Sequence, residues 1–347
     1  MKRDIRILVV GGTGAVGRHV CREVERVLGV ESLIVGDYNQ QRGVEYVAQN
    51  HRGARSCRVD VRDRASVASA VQEADAVILA ARQPGPVVQA VCTDLKRHSI
   101  DIVPDTPLDP TLRGVVAAGL IPGLSGLLAR ETIDHARQTG TNVSEVDVAL
   151  LQRRHGTAGA AGIADMLGLF SRPVAVNGRT IRGFSRRRRF ELPEPFGRKN
   201  LRRVAFPEAR ILRDRLDLVD VRYWTAFDDP VFNGVLGAAN RLGILGRIAR
   251  TKGESSLARM IARGKQEPSD RDERVVLTAE AGPIRSTLMV PSDYGGTAMV
   301  AVAIARACVE RGAPDYAMAY PFELFSAEEI LDLIRSDDVI RESTAIS

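Results

Sequence analysis

The 347-residue chain has few cysteines and few aromatic residues. Its four cysteines form no CxxC pair, so the sequence predicts neither a disulfide framework nor a cysteine zinc site. No HxxE or HExxH spacing occurs, and we therefore expect no metal site. Aromatic residues make up 5% of the chain and no nucleic-acid-binding module accompanies them, which argues against a nucleic-acid partner. The scattered cysteines favour a reducing, cytoplasmic setting: they are Cys21, Cys57, Cys92 and Cys308.

Long hydrophobic runs are also absent. No stretch reaches roughly 18 uninterrupted apolar residues, so no membrane span is expected. The nearest candidate, residues 231–248, is interrupted by Asn240, Arg241 and Arg247. The start, MKRDIRILVVGG, has a short apolar run that ends in glycines rather than at a cleavage site, which argues against a signal peptide. The net charge of +6 permits an anionic cofactor or partner without requiring one.

The composition is that of an ordinary folded protein, with 44% hydrophobic and 27% charged residues. The length predicts about two domains of roughly 150 residues each. In the first third, short apolar runs alternate with helical patterns, and this alternation predicts a parallel sheet with right-handed crossovers. The expected architecture is a doubly wound α/β layer of the Rossmann type. The predicted strands cover residues 5–10, 32–36, 56–61, 76–80 and 101–103.

From Leu120 onward, longer helices and strands are mixed, which predicts an α+β domain with a mixed sheet. We place a dinucleotide-binding domain at residues 1–122 and an α+β substrate-binding domain at residues 123–295. Residues 296–347 are expected to form C-terminal helices that pack back on the first domain. The predicted helices cover residues 123–137, 157–170, 296–311 and 327–334, and the predicted strands cover residues 143–152, 174–182, 216–224, 274–278 and 284–290.

A glycine-rich turn directly follows the first predicted strand and fits the pattern GxGxxG. Glycine allows the sharp turn and lets the backbone approach a pyrophosphate, while the following helix presents free N–H groups to the anion. Asp37 ends the second strand 20 residues after the last glycine, where a carboxylate accepts hydrogen bonds from the adenosine ribose. Together these features predict a nicotinamide dinucleotide. The motif residues are Gly12, Thr13, Gly14, Ala15, Val16 and Gly17.

Asp37 also bears on the choice of cofactor. At about 4 Å, a carboxylate opposes a 2′-phosphate by about 4 kcal/mol per unit charge at an effective dielectric constant of 20. NAD is therefore favoured, while Arg42 could reach a phosphate and keeps NADP open. Tyr38, which follows Asp37, is placed with the cofactor-binding residues.

Two further strand ends are expected at the cofactor. Asp60 and Val61 would flank the adenine; alternatively, they form an ordinary strand end before a helix capped by Asp63. Small residues after the fourth strand would let the cofactor lie across the sheet, and this group is Ala80, Ala81 and Arg82.

Short-chain dehydrogenases tolerate a similar glycine turn, but they require a Tyr with a Lys four residues later, and none of the six tyrosines has one. The chain instead resembles the saccharopine dehydrogenase-like oxidoreductases. The similarity rests on GGTGAVG, GDYN, VDVRD, IVPDT, AGLIPGLSGLLA and SDYGGTAMVA, which together span nearly the whole chain. The resemblance implies hydride transfer at a carbon bonded to nitrogen, and dimerisation through the second domain. The segment between Thr106 and Gly119 is shorter than is usual in that family.

The catalytic site is expected beyond the carboxyl ends of the parallel strands. Asp105 and Thr106 follow the fifth strand; Asp105 could bind a substrate amine or orient a proton donor, or simply cap a turn. Ser125 could approach the nicotinamide or be an ordinary helix residue. Tyr294 could offer its phenol to the site or pack in the core.

A second group of candidate catalytic and substrate-binding residues follows a predicted strand of the second domain. His155 could act as a general acid or base. Arg153 and Arg154 could bind a substrate carboxylate. The alternative is a solvated strand end.

A basic run, residues 186–189, is most simply a charged strand face. It could instead dock an acidic carrier protein, because certain members of the family look like enoyl reductases of carrier-bound acyl chains. A non-catalytic cofactor-binding protein is the third hypothesis. The apolar segment 232–248 is predicted to be an apolar helix interrupted by glycines, and it suits the core, a substrate pocket or a subunit interface. Further basic residues that could help a carrier to dock are Arg198, Lys199, Arg202 and Arg203.

Overall fold

The computed structural model describes residues 5–104, 106–153, 160–176, 179–250, 273–334 and 339–345. The chain divides into two compact units. The first comprises Met1–Leu127 and Tyr294–Ser336, and the second comprises Leu128–Asp293 and Asp337–Ser347.

The first unit is built on a five-stranded sheet in the order β3-β2-β1-β4-β5, with every neighbouring pair parallel. This sheet confirms the predicted doubly wound layer. Its strands are β1 (Ile7–Val10), β2 (Leu33–Asp37), β3 (Arg55–Arg58), β4 (Ala76–Leu79) and β5 (His98–Asp101). The helices that connect them are α1 (Ala15–Leu28), α2 (Gln40–Asn50), α3 (Arg64–Val71) and α4 (Val87–Asp94).

The central strands are buried along their whole length, as the continuous apolar runs of β1 and β4 predict for a sheet covered on both faces. The fifth strand begins earlier than predicted, because hydrogen bonds satisfy its polar residues. The His98 ring lies 2.7 Å from the Gly312 carbonyl oxygen, and the Ser99 hydroxyl donates to the Arg113 carbonyl at 3.0 Å. The strand ends at Asp101, which puts this carboxylate at the carboxyl edge of the sheet.

Beyond β5, the chain adds a short parallel segment to the sheet. Val115 bridges Ile100 on one side and Ala319 on the other. The unit is completed by the start of α5 (Leu124–Gln138) and by three later helices, which we label α10 (Asp293–Arg311), α11 (Pro321–Leu324) and α12 (Ala327–Leu333).

The second unit is built on a seven-stranded mixed sheet, ordered β14-β13-β12-β6-β11-β10-β9, which confirms the predicted α+β architecture. The pair β6 and β11 is parallel, and the remaining neighbours are antiparallel. Its strands are β6 (Glu145–Gln152), β9 (Arg187–Glu191), β10 (Arg198–Val204), β11 (Asp220–Phe227), β12 (Val275–Ala281), β13 (Ile284–Val290) and β14 (Ile340–Ala345). A separate hairpin pairs β7 (Pro173–Val176) with β8 (Arg179–Arg182), and the helices are α6 (Ala160–Ser171), α7 (Pro207–Arg215), α8 (Pro230–Arg241) and α9 (Ile244–Arg250).

Two elements depart from the sequence prediction. The predicted C-terminal helices do not continue to the chain end, because β14 pairs with β13 at the sheet edge and all six of its residues are exposed. The predicted strand 174–182 is instead the hairpin of β7 and β8. The apolar segment 232–248 is interrupted at a glycine, as predicted, because Gly243 lies between α8 and α9 with a φ of 73° that favours glycine.

All of the basic run except Arg186 lies on strand β9, as predicted, but not all of it faces solvent. Arg188 pairs with Asp147 and, at 2.6 Å, with Glu280. Arg203 is buried and donates to the Asp220 carboxylate, and Arg202 is also buried. Arg202 and Arg203 are therefore buried within the unit, and Arg188 is half-buried and paired with two carboxylates.

Candidate dinucleotide-binding site

The glycine turn between β1 and α1 is held tightly against the sheet. The N–H groups of Gly11 and Gly12 donate to the Gly36 carbonyl at 2.9 and 3.1 Å. A Cβ on Gly17 would lie 2.1 Å from the Gly11 carbonyl oxygen, and one on Gly12 would lie 2.9 Å from a Val35 methyl group. The sequence thus requires glycine at both positions because there is no room for a side chain.

The same turn presents backbone to an anion. Helix α1 begins at Ala15 and has no acidic residue in its first turn. Gly14 and Ala15 are exposed, and Val16 is half-buried. The first N–H groups of a helix lack intrahelical acceptors and carry its positive dipole end, so this end of α1 fits a pyrophosphate.

Asp37 ends β2 beside the glycine turn, as predicted, but its side chain is turned inward. It accepts hydrogen bonds from the Thr13 hydroxyl, from the Asn39 N–H at 2.8 Å and from Arg42 at 2.6 Å. Burial opposes the charged form, but the hydrogen bonds from Arg42, Thr13 and the Asn39 N–H outweigh it and lower the pKa of Asp37. Asp37 is thereby an ionised anchor between the sheet and the glycine turn.

The next residues form an exposed aromatic and basic surface. Tyr38 is 56% exposed, and the guanidinium groups of Arg58 and Arg62 lie 5.5 and 5.1 Å from its ring centre. The Asp60 carboxylate accepts two hydrogen bonds from the Arg62 side chain, at 2.9 and 3.0 Å, and one from its backbone N–H at 3.1 Å. Asp63 accepts from the Ala65 N–H at 2.9 Å and caps α3, which confirms that expectation.

The end of β4, where small residues are predicted to leave room for the cofactor, lies against the glycine turn. The Ala80 N–H donates to the Val10 carbonyl at 2.9 Å, and a Cβ on Gly11 would lie 2.9 Å from the Cβ of Ala81. Arg82 is exposed directly after them, and Val61, after β3, is half-buried. The small side chains at the strand end therefore let β4 pack directly against the glycine turn.

A buried carboxylate at the end of β5 was missed by the sequence analysis. Asp101 is 1% exposed and accepts hydrogen bonds from the Val103 N–H at 2.8 Å, Gln89 at 2.7 Å and Thr106 at 2.8 Å. Gln89 in turn accepts from Gln83 at 2.5 Å. Burial raises the pKa of Asp101 to about 6, although these hydrogen bonds favour its ionised form. The signal in the sequence was an acidic residue directly before the apolar pair Ile102 and Val103.

The predicted residues after β5 are only partly described. Thr106 is half-buried, and its hydroxyl is oriented by Asp101. Ser125 is fully buried in the first turn of α5 and its N–H donates to the Leu120 carbonyl at 3.0 Å. Asp105 lies outside the described residues.

The start of α10 meets both α1 and the loop before α5. The rings of Tyr294 and His19 lie edge to face, with 5.8 Å between their centres. Three residues later, the Thr297 hydroxyl accepts from the Leu120 N–H at 3.3 Å. Burial, together with the nearby Arg22, lowers the pKa of His19 to about 4, so its ring is neutral. Tyr294 therefore lies beside the helix that follows the glycine turn.

In the second unit, Arg153 follows β6 and pairs with Asp228 at 3.0 Å, with its guanidinium 4.5 Å from the centre of the Phe196 ring. The ion pair and the ring contact hold this arginine within its own unit. Arg154 and His155 lie outside the described residues, so their predicted roles stay predictions.

Over the described ranges, no group of three His, Cys, Asp or Glu side chains is arranged to hold a metal ion. In the same part of the chain, we find no helix with the length and apolar character needed to cross a membrane.

Comparison with known families matches the segment that carries this geometry. The model of the NAD dependent epimerase/dehydratase family matches residues 7–92. The matched segment contains the glycine turn, β2 and Asp37. A comparison with curated proteins gives no match.

Two solved structures share the fold over almost the whole chain. Apo saccharopine dehydrogenase (L-Glu forming) from Saccharomyces cerevisiae is 12% identical, with a TM-score of 0.65, and the similarity covers 99% of this chain and 100% of that one. Homospermidine synthase from Legionella pneumophila, in complex with NAD, is 12% identical with a TM-score of 0.66, covering 99% of this chain and 92% of that one. The resemblance to saccharopine dehydrogenase-like oxidoreductases is thus confirmed at the level of the fold.

Proposed function

We propose that the chain is a NAD(P)-dependent oxidoreductase that transfers a hydride at a carbon–nitrogen centre of a substrate derived from an amino acid or an oxo acid. The observation that carries the proposal is the glycine turn, which leaves no room for side chains at Gly12 and Gly17 and presents the start of α1 to an anion. Support also comes from the family match over residues 7–92 and from the shared fold with a homospermidine synthase whose structure contains NAD.

Different residues of this chain would contact different parts of the cofactor. The N–H groups at Ala15 and Val16 would hold the pyrophosphate, and the small side chains of Ala80 and Ala81 would leave space for the cofactor across the sheet. The bound nicotinamide would supply or accept the hydride at its C4 atom.

The network at the end of β5 suits an amine or imine substrate. Because the Thr106 hydroxyl donates to Asp101, its oxygen keeps its lone pairs for a donor such as a protonated amine. Above pH 6 the ionised Asp101 behind it would favour a positive charge at that place. We propose Thr106 as a substrate contact and Asp101 as its positioning residue, while Asp105, His155 and Tyr294 stay predicted catalytic residues.

Fluorescence titration with NADH and NADPH tests the cofactor. We expect binding by at least one of them below millimolar concentration, and binding by neither would eliminate the proposal. Turnover is then tested with a panel of amino acids, and with oxo acids supplied together with amines.

Thr106→Val should lower kcat/KM about tenfold or more, since a hydrogen bond to a charged group contributes about 1.5–3 kcal/mol. Thr111→Val is the matched control, because Thr111 is an exposed threonine that donates to Asp109 at 2.6 Å. Equal effects of the two substitutions on kcat/KM would show that Thr106 does not contact the substrate. Turnover abolished by His155→Ala, with folding intact, would exclude a non-catalytic binding protein.

We also propose a cytoplasmic location, which the four free cysteines support. Burial raises the pKa of Cys21 and Cys92 to about 12 and that of Cys57 and Cys308 to about 11, so these thiols are poor nucleophiles. The homodimer and the acidic carrier partner stay predictions, and no described contact favours the enoyl reductase alternative.

A further inference from the structure

A cavity of about 280 Å³ lies within the second unit, at the amino end of β6. Its volume is near the lower end of the range of about 300–1,000 Å³ for small-molecule sites, so it suits a ligand much smaller than a dinucleotide. The strand itself separates this cavity from Arg153, because β6 extends over about 23 Å at roughly 3.3 Å per residue. The charged side chains that line the cavity are Glu145, Asp147, Arg188, Arg222 and Glu280.

Strand register places these charges in one row across the sheet. Asp147 in β6 is directly opposite Arg222 in β11 and Glu280 in β12. Glu280 is in turn opposite Arg285 in β13. Like charges that lie directly opposite each other destabilise a sheet, so the two neighbouring carboxylates require cations. Arg188 from β9 supplies one, because it pairs with both Asp147 and Glu280.

Hydrogen bonds fix the guanidinium groups that line the cavity. Arg222 donates to Asp147 at 2.7 and 2.8 Å and also donates to Glu145. A guanidinium has five N–H donors, so the three bonds of Arg222 leave two donors, and the two bonds of Arg188 leave three. The side chains of Arg222 and Arg188 are 23% and 36% exposed, so these remaining donors are available to a ligand in the cavity.

The charges of this cluster balance, which decides the kind of ligand that it suits. An ion of either sign would add an uncompensated charge, whereas a ligand with both charges would not. The described contacts of the Glu145 carboxylate comprise one hydrogen bond, from Arg222, and its side chain is 44% exposed. It therefore keeps lone pairs for a further donor. The paired groups are the carboxylates of Glu145, Asp147 and Glu280 and the guanidinium groups of Arg188, Arg222 and Arg285.

We propose that this cavity binds a free amino acid in its zwitterionic form. The carboxylate of the ligand accepts hydrogen bonds from Arg188 and Arg222, since the planar guanidinium matches a carboxylate. The ammonium group of the ligand donates to Glu145. Arg153, a predicted substrate-binding residue, follows the opposite end of β6, so this is a second site. The inference does not need the proposed function, because no dinucleotide takes part in the binding.

Tryptophan fluorescence of the full-length protein, without dinucleotide, measures this binding. Trp224 is the one tryptophan of the chain, and it donates at 2.6 Å to Asp147, which lines the cavity. L-alanine, L-serine, L-glutamate and L-lysine are titrated, and at least one should give a saturable change at millimolar concentration or below. Isothermal titration calorimetry should give the same dissociation constant. Propionate and ethylamine each carry one of the two charges of alanine, and they should bind at least about tenfold more weakly than the amino acid that binds.

Glu145→Gln should weaken amino acid binding about tenfold or more, because the ammonium group loses its charged acceptor. The same substitution should leave propionate binding unchanged or tighter, since it frees a donor of Arg222. Glu191→Gln is the matched control, because Glu191 is an exposed glutamate of the same unit that accepts from Arg198 at 2.8 Å. It should change neither dissociation constant. Thermal unfolding of both variants verifies that they fold.

Four results would overturn the inference. The first is that none of the four amino acids binds in either measurement. The second is that propionate binds as tightly as the best amino acid, which would make the cavity a simple anion site. The third is an equal effect of Glu145→Gln and Glu191→Gln. The fourth is that Thr106→Val removes amino acid binding while Glu145→Gln does not, which would place the amino acid at the proposed substrate contact. Failure of NADH and NADPH to bind, with amino acid binding intact, would remove the proposed function and leave this inference standing.

Discussion

Replacing Gly17 by alanine should damage the first unit in two measurable ways. The added Cβ would lie 2.1 Å from the Gly11 carbonyl oxygen, and both groups belong to backbone that forms the turn. Overpacking of this kind costs about 1–3 kcal/mol, and a rigid backbone neighbour favours the upper end. The gain in helix propensity from glycine to alanine returns about 1 kcal/mol, so the net loss of stability is about 2 kcal/mol.

Gly43 provides a matched control, because it is also a buried helical glycine but has room for a side chain. A Cβ there would lie 3.6 Å from the Cβ of Asp37 and 3.8 Å from that of Ser56, which are ordinary contacts. Gly43→Ala should therefore stabilise the unit by about 0.5–1 kcal/mol. The two substitutions should therefore change the free energy of unfolding in opposite directions, and the variants should differ in stability by about 3 kcal/mol.

Thermal unfolding followed by far-ultraviolet circular dichroism measures both changes. Trp224, the one tryptophan of the chain, lies in the second unit, so its fluorescence does not report on the glycine turn. At roughly 2–4 °C per kcal/mol for a domain of this size, Gly17→Ala should lower Tm by about 4–8 °C. It should also abolish NADH and NADPH binding, because α1 must move away from the turn. A Gly17→Ala protein that melts and binds normally would refute the reasoning.

Three further changes test the structure. The ordinary pKa of Asp101 is 3.8, and burial raises it to about 6 in the folded protein, so the contribution of Asp101 to stability is full below pH about 4 and is lost as the pH rises through 6. In urea titrations across that interval, the free energy of unfolding should fall by about 3 kcal/mol relative to that of the Asp101→Asn protein. A constant difference between the two proteins would contradict the burial argument. Thr13→Val removes a hydrogen-bond donor to Asp37 and should weaken the binding of NADH and NADPH by the same factor, about fivefold for about 1 kcal/mol, in fluorescence titrations. A weaker binding of NADH alone would be inconsistent with the role of Asp37 as an anchor of the glycine turn. Arg188→Ala leaves two buried carboxylates with fewer donors and should destabilise the second unit by about 1–3 kcal/mol in urea unfolding. Arg189 is exposed, so Arg189→Ala should change the free energy of unfolding by less than about 0.5 kcal/mol. Equal effects of the two substitutions would show that the Arg188 ion pairs contribute nothing to stability.

The layer order and the glycine turn were predictable because their determinants are local. An apolar run of four residues, a glycine turn and a helix are contiguous from Ile7 to Leu28, and the alternation that follows permits few topologies. The position of Asp37 at the end of β2 was predictable for the same reason.

The ends and edges of the elements depended on partners far along the chain. The fifth strand starts at His98, not at residue 101, because its polar first residues are satisfied by the carbonyl groups of Arg113 and Gly312. The last strand, β14, exists because β13 offers it a free edge. Sequence patterns over a short window contain neither partner.

By itself, then, the sequence determined the class of fold, the glycine turn and the dinucleotide that the turn fits, since short-range sterics and hydrophobic periodicity specify them. Tertiary structure alone decided the direction of the charged side chains. Asp37 turns inward to a threonine 24 residues away, Arg188 pairs with a glutamate 92 residues away, and Asp101 is buried against Gln89. The reason is that the free energy of a charge depends on its burial and its partners, which only the folded chain brings together.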